Sequence, residues 1–279
     1  MWQELMLSET WKTQRKWVHA AMAAAHQQHF YGHIEREVKR YLGSLLIDPA
    51  SFHSNTRELT GRIISRLAWD DATLGRRNED EAIETLTQMS IPGPIVNSAT
   101  PLWHVADFFG YNPWRRFEVA RESKQRAWWL RTLRVAKQRF LRGELPSDTW
   151  VYRYCEELVS AGNSKLEQGE KEEDFAACML GFQCLVGVVT LSGPLQFFLM
   201  AMALHPSWQK RAQEEIDRVC GNRMPNVDDY EKLPIVRACI KETLRWRSGV
   251  PLGKQLMYEA YDLANYCRCP ASVREGLGV

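Results

Sequence analysis

The sequence has almost no net charge and no regular cysteine framework. Its 36 Lys and Arg residues nearly balance 34 Asp and Glu residues, which gives a formal net charge of +2. This balance argues against a large basic surface, so we expect no nucleic-acid partner. The seven cysteines are odd in number, irregularly spaced and not preceded by a secretory h-region, which is typical of free thiols in a reducing compartment.

Strand-like alternation of apolar and polar residues is absent over any appreciable length, and so are internal repeats. Strong helix formers dominate most of the chain instead. They predict helices over residues 11–46 (one or two helices), 56–67, 79–89, 115–142, 208–219 and 235–246. Pro-containing segments separate several of these stretches. The sequence therefore predicts a mainly α fold.

Charge is missing altogether from the 30 residues 175–204. A run of this length exceeds the roughly 20 residues that cross a bilayer. Its glycines and internal polar residues, with no flanking Lys/Arg cluster, favour a buried central helix over a membrane span. Pro194 cannot donate a hydrogen bond to the carbonyl of Thr190, so we expect a locally open helix with a small polar notch between Gly187 and Pro194.

Tryptophan is unusually abundant, with eleven residues beside ten Phe and nine Tyr. Flat aromatic side chains bury much apolar area each. We therefore expect a core or a pocket wall built largely from aromatic rings, which would suit an apolar ligand.

Three segments after the charge-free run carry a resemblance to a known family. Residues 201–206 read AMALHP, residues 213–221 read QEEIDRVCG and residues 241–246 read KETLRW. In this order they resemble the cytochrome P450 monooxygenases, especially fungal members of secondary metabolism. The resemblance implies a haem cofactor, an apolar small-molecule substrate and electrons from an NADPH-cytochrome P450 reductase. It also implies the cytoplasmic face of the endoplasmic reticulum membrane for full-length relatives. Because this chain has no anchor of its own, we expect it to be cytoplasmic or peripheral.

The family's E-x-x-R pair places two side chains on one helical face, where it supports the core beside the haem. Glu242 and Arg245 match this pair within the KETLRW segment. The same spacing occurs in three other pairs, which we interpret as ordinary surface pairs: Glu37/Arg40, Glu118/Arg121 and Glu215/Arg218.

The resemblance also assigns two further groups of residues. Trp11 and Arg15 match the W-x-x-x-R pair whose indole and guanidinium bind a haem propionate. Gly187 and Thr190 match the oxygen-groove motif, in which Thr190 is the expected catalytic residue. Val189 occupies the position of the usual acid, so proton delivery would need another route, such as Thr190 with ordered water.

The family's thiolate loop has the pattern F-x-x-G-x-x-x-C-x-G, and the sequence does not contain it. The last phenylalanine of the chain is Phe198. The phenylalanine and the glycine of the pattern do not precede Cys267 or Cys269, so we predict no metal ligand. We therefore predict a partial cytochrome P450 domain over residues 1–253 and a divergent tail over residues 254–279. This domain would lack the N-terminal anchor and β region as well as the haem-thiolate loop. For this chain we expect weak or absent haem binding and no turnover.

Two other classes of protein remain open at this point. A non-catalytic helical remnant or partner-binding module would expose apolar faces that seek partners. An all-α isoprenoid synthase would use acidic clusters to hold magnesium. Asp228-Asp229-Tyr230-Glu231 and Asp70-Asp71 fit that pattern only in part, and we favour solvated helix-end acids there.

Overall fold

The computed structural model describes residues 9–27, 30–90, 105, 108–110 and 113–247. Helices account for nearly all of this part of the chain. They are α1 (Glu9–Gln27), α2 (Gly32–Ile47), α3 (Phe52–Trp69), α4 (Gly75–Ser90), α5 (Pro113–Leu141), α6 (Trp150–Ser160), α7 (Glu170–Leu204), α8 (Pro206–Cys220) and α9 (Pro234–Trp246). Short 3₁₀ turns cover Pro49–Ser51, Ala72–Leu74 and Val227–Lys232. No strand occurs among these residues, so the predicted mainly α fold is confirmed.

Most helices begin and end near their sequence signals. Pro206 and Pro234 occupy the first turns of α8 and α9, where a missing N–H costs nothing. The first turn of α7 carries Glu170, Glu172 and Glu173, whose charges favour the positive end of the helix. The predicted tail over residues 254–279 and the pair Cys267 and Cys269 lie outside the described residues.

Helix α6 was not predicted from the sequence. It starts with Trp150 and Val151, which are weak helix formers, and both are buried. The Thr149 hydroxyl caps its first turn by accepting a hydrogen bond from the Tyr152 N–H at 3.3 Å. Tertiary packing and this cap therefore compensate for the low intrinsic propensity.

Helix α7 is the central element, and it packs against α3, α4 and α5. Its N-terminal half is buried at Leu180, Cys184 and Val188, whereas Leu191 and Leu204 in the C-terminal half are exposed. The predicted buried central helix is therefore correct for the first half only. By length and composition alone α7 could also cross a membrane, a test that core helices of soluble proteins pass as well. It continues through Pro194 without a break, so the predicted local opening does not interrupt the helix.

Aromatic rings fill the core, as the composition predicted. Trp69, Trp128, Trp129 and Trp150 are all buried. The ring of Trp129 on α5 lies against the backbone of α7 at Gly181, where an added Cβ would come within 2.2 Å of the indole. Gly181 is therefore what permits this close contact between α5 and α7.

A buried lysine fastens the segment that leads into α7. The ammonium of Lys137 on α5 donates to the Gln168 Oε1 at 2.8 Å, to the Glu173 Oε1 at 3.1 Å and to the Leu166 carbonyl at 3.2 Å. Leu166 has a left-handed backbone with φ 55°. All three donors of the Lys137 side chain therefore have acceptors, which offsets the cost of burying it.

Candidate functional site

Thr190 and Gly187 lie midway along α7, at the boundary between its buried and exposed halves. Both residues are half-buried, and the Thr190 hydroxyl donates to the Val186 carbonyl at 3.1 Å. A Cβ at Gly187 would lie 3.0 Å from the Cδ1 of Ile64, so this glycine allows α3 to approach α7. The side chain of Val189 lies outside the described residues.

A residue of α3 that no sequence motif singled out also contacts this stretch. The buried Thr60 hydroxyl lies 2.9 Å from the Arg57 carbonyl and 3.5 Å from the Val188 carbonyl on α7. Thr60 and Ile64 lie one turn apart on α3, so together they face the 187–188 segment. The contact joins residues 128 positions apart, and no local sequence signal indicates it.

Trp11 and Arg15 lie one turn apart on α1, as the W-x-x-x-R spacing requires. Arg15 is exposed, and the side chain of Trp11 lies outside the described residues. Helix α1 packs against α7 and is tied to α6 by a 2.7 Å hydrogen bond from the Trp17 indole to Glu157. The helix that carries the predicted propionate-binding pair is therefore adjacent to the helix that carries Thr190.

Glu242 and Arg245 form a bidentate ion pair on α9, with Nε–Oε2 and Nη2–Oε1 distances of 2.7 and 2.5 Å. The Arg245 hydrogen bonds lower the pKa of Glu242, and the same bonds raise the pKa of Arg245. The side chains of Glu242 and Arg245 are 62 % and 73 % exposed among the residues that the structure describes, and their role beside a haem stays a prediction. The inner face of α9 carries Cys239 and Thr243 instead.

Two of the E-x-x-R pairs that we interpreted as surface pairs contain buried acids, so that interpretation was wrong. Glu37 is 2 % exposed and accepts hydrogen bonds from Arg62, at 2.6 Å, and from Arg66. Burial alone would raise the pKa of Glu37, but these two hydrogen bonds outweigh burial and lower it. Glu215 is also buried, and its carboxylate accepts backbone N–H groups at the start of α9. The side chain of Glu118 lies outside the described residues.

A groove of about 390 Å³ lies between the C-terminal end of α7 and helices α8 and α9. Apolar and aromatic side chains form most of its lining, and Glu242 and His205 supply polar groups. The lining residues are Ala201, Met202, His205, Trp208, Ala238, Cys239, Glu242, Thr243 and Trp246. The exposed glutamate of the Glu242–Arg245 pair therefore faces a concave surface.

The acidic clusters are engaged in structural contacts, which argues against magnesium binding. Asp229 is buried and accepts two hydrogen bonds of 2.6 Å from Arg223, which hold its pKa well below its usual range. Asp70 pairs with Arg139 at 2.7 Å, and Asp71 accepts the Thr73 N–H. Asp229 and Asp70 are therefore not the solvated acids that we favoured. The described part of the chain holds no group of three or more metal-ligating side chains suited to an ion.

Five cysteines lie in the described part of the chain, and all five are free thiols. Burial raises the pKa of Cys155 and Cys184 to about 12 and that of Cys178 to about 11. In the absence of a bound metal these three thiols are protonated at neutral pH. None of the five cysteines belongs to a cluster of three or more metal-ligating side chains in the described residues.

Comparisons with known proteins give one consistent result. The family model described as Cytochrome P450 matches residues 5–266. Cytochrome P450 monooxygenase fogE of Aspergillus ruber is 31% identical over 251 residues, which cover 88% of this chain and 45% of the relative. Cytochrome P450 monooxygenase virE of Hypocrea virens is 27% identical, with 88% and 44% covered. The chain thus spans about half the length of the curated relatives it matches.

A solved structure shows the same fold. It is a zebrafish cytochrome P450 described with progesterone, and it superposes with a TM-score of 0.62 at 18% sequence identity. The match covers 86% of this chain and 55% of the zebrafish chain.

Proposed function

The chain belongs to the cytochrome P450 family, and we propose that the protein acts as a haem-thiolate monooxygenase on an apolar small molecule. The observation that carries this proposal is the position of Gly187 and Thr190, half-buried on the central helix with α3 packed behind them. Within the family resemblance this stretch forms the oxygen groove beside the haem. The cofactor supplies the oxidation chemistry, and the protein orients the substrate.

Two features support a haem site. The apolar central helix with the Thr190 hydroxyl suits a face where oxygen and an apolar substrate could meet, and α1, which carries the W-x-x-x-R pair, packs against this helix. No axial thiolate is assigned, because the family's thiolate loop is missing from the sequence. We therefore assign no reaction step to the iron.

We propose roles for three of the predicted site residues. The Thr190 hydroxyl holds a proton at Oγ1, and it must turn away from the Val186 carbonyl before it can donate to a ligand or to water. Trp11 and Arg15 bind a propionate, for which a guanidinium is suited as a charged, planar donor.

The redox partner and the cellular location are part of the same proposal. We propose that an NADPH-cytochrome P450 reductase supplies the electrons, and that the protein acts at the cytoplasmic face of the endoplasmic reticulum membrane. Both assignments follow from the family resemblance. The chain has nearly equal numbers of positive and negative side chains and a net charge of +2. A protein partner would therefore be recognised by charged groups at the contact surface and not by the net charge of the chain.

A carbon monoxide spectrum tests the proposal directly. We expect a protein that joins this chain to the family's thiolate loop, with haem supplied, to show the red-shifted Soret band of a thiolate-ligated ferrous haem after reduction under carbon monoxide. The 279-residue chain by itself should show no such band, because its sequence lacks that loop. The absence of bound haem would overturn the proposal. Two variants test the assigned roles: Arg15→Ala should weaken haem retention, whereas Lys16→Ala, at the exposed neighbouring position, should not.

A further inference from the structure

Glu215 on α8 caps the first turn of α9. Its carboxylate accepts the Ile235 N–H at 2.9 Å through Oε2 and the Val236 N–H at 3.0 Å through the same oxygen. The other oxygen, Oε1, lies 3.1 Å from the Ile235 nitrogen. The first N–H groups of a helix have no partner within the helix, and they form its positive end. The Glu215 carboxylate therefore satisfies both donors.

This contact is buried. The Glu215 side chain is 1% exposed, and the exposed guanidinium of Arg218 lies 3.9 Å from Oε1. A hydrogen bond to a charged acceptor is among the stronger ones in proteins, and burial away from water strengthens it further. The start of α9 is therefore held firmly against α8.

The connector between α8 and α9 has a second carboxylate fastening. Asp229 binds Arg223 through both oxygens and accepts the Asn226 N–H at 3.0 Å. These bonds lie within the connector and close to the end of α8. The connector also binds α9 through the exposed Glu231, which pairs with Arg237. Glu215 is therefore the buried carboxylate among those that bind α9.

Helix α9 carries the Glu242–Arg245 pair two turns beyond the capped end. Residue 242 follows residue 235 by seven positions, which corresponds to about 10 Å along the helix axis. A tilt of about 10° at the capped end would displace residue 242 by roughly 2 Å over that length. Helix α9 also packs on α7 and α8 through its buried face. A change at the capped end would nevertheless be transmitted along the helix to the ion pair and to the wall of the groove.

We propose that Glu215 is a positioning residue for the Glu242–Arg245 pair. It holds α9 by its N-terminal N–H groups, so that the pair and the groove beside it keep one orientation. The relevance of this role to catalysis rests on the proposed function. The role itself is a property of the polypeptide and can be measured without haem.

Amide hydrogen exchange and the Arg245 Nε–H resonance of the full 279-residue chain test the proposal. In Glu215→Ala we expect exchange over all of α9 to accelerate about ten- to a hundredfold, since charged hydrogen bonds of this kind are lost. The Arg245 Nε–H signal should shift or broaden as the pair loses its fixed orientation. Glu215→Gln keeps an acceptor of the same length, so it should give intermediate values. The matched control is Glu214→Gln, at the exposed neighbouring position, which should leave both readouts unchanged.

Two results would overturn the proposal. One is faster exchange confined to residues 235–238 with an unchanged Arg245 signal, which would reduce Glu215 to a local cap. The other is that Glu215→Gln and the Glu214→Gln control give the same amide exchange and the same Arg245 signal. If Glu215→Ala does not fold, the comparison of these two Gln variants tests the proposal by itself. A protein without bound haem would defeat the proposed function and leave these exchange results standing.

Discussion

At the scale of single residues, glycines on α7 determine how closely the neighbouring helices approach it. Gly181 lies against the Trp129 ring, Gly187 lies against the flexible end of Ile64, and Gly193 has open space around it apart from Phe197 at 3.9 Å. The three positions share one helix and one residue type. They therefore form an internal series in which only the surroundings differ.

We predict a graded effect of alanine at these positions on the free energy of unfolding. Gly181→Ala should destabilise the chain by about 1–3 kcal/mol or more, because the rigid indole cannot make room for the Cβ. Gly187→Ala should be close to neutral, since the tip of Ile64 can move by a few tenths of an ångström. Gly193→Ala should change stability little, because the gain in helix propensity is offset by the contact of the new Cβ with the ring of Pro194. Urea denaturation measures all three, and equal effects at positions 181 and 193 would contradict the predicted gradation.

The buried carboxylate of Glu37 should make stability depend on pH. Its pKa in the folded chain is lowered below the ordinary 4.5 by Arg62 and Arg66, which outweigh its burial. A lowered folded-state pKa contributes stability above the unfolded value, and this contribution is lost as the pH falls below about 4.5. Glu37→Gln should therefore cost about 1–3 kcal/mol at pH 7, less than for a fully buried pair because the arginines reach water.

Denaturation at a series of pH values checks this prediction. The gap between wild type and Glu37→Gln should narrow as the pH falls from 7 toward 3, whereas Glu214→Gln should follow wild type throughout. A gap that stays constant over this range would show that the charge of Glu37 is not responsible.

These residues also show where sequence reasoning stops. The E-x-x-R spacing occurs four times in the sequence. Only the surrounding KETLRW segment distinguishes Glu242/Arg245 from the other three pairs. Glu37 is buried because its arginines lie 25 and 29 positions away on α3, and Glu215 is buried because it meets amides 20 and 21 positions away. Tertiary packing brings these partners together, so the local sequence pattern does not indicate them.

At the scale of elements, Lys137 links α5 to the start of α7. The Lys137 side chain is 6% exposed, whereas Arg134, which binds the same Glu173, is 57% exposed. Two cationic side chains on one helix thus contact the same carboxylate, one of them buried and the other exposed. The loss of stability on replacing each of them can therefore be compared to measure the effect of burial.

We predict that Lys137→Met destabilises the chain by about 1–3 kcal/mol, because the Leu166 carbonyl loses its buried donor. Amide exchange in residues 161–169 should rise with it. The matched Arg134→Met change should cost at most about 1 kcal/mol, as for an exposed ion pair. Thermal and urea unfolding measure both variants, and equal losses would argue against a role for burial.

The helices themselves were largely predictable, since long runs of helix formers bounded by proline specify them. Helix α6 is the exception, because Thr149 caps a segment that begins with poor helix formers, and only packing reveals it. The half-buried state of α7 could not be predicted either. A charge-free run shows that a segment contains no charged residues. Which of its side chains are buried depends on the elements that pack against it in the fold.

At the scale of the whole molecule, large apolar side chains are exposed together on α7, α8 and α9. They are Met200, Leu204, Trp208, Ile240, Leu244 and Trp246. Exposed apolar surface of this kind favours association. We predict that the 279-residue chain associates with increasing concentration and binds an apolar fluorescent dye.

Replacing Leu204 and Leu244 together by Gln should reduce both effects by several-fold, because two large exposed apolar side chains are removed. The control is Val135→Gln, which changes an exposed apolar residue on α5. Light scattering and dye fluorescence give the readouts. A double variant that associates as strongly as wild type would place the associating surface elsewhere.

The contact between Thr60 and Val188 has a consequence for how the chain is made. The two residues are 128 positions apart, so α3 leaves the ribosome long before the helix that covers it. At about 5–20 residues per second, that interval lasts roughly 6 to 25 s. During this time α3 can already pack against α2 and α4, but Thr60 and Ile64 lack their contacts with α7. This side of α3 therefore completes its native packing only after α7 has been synthesised.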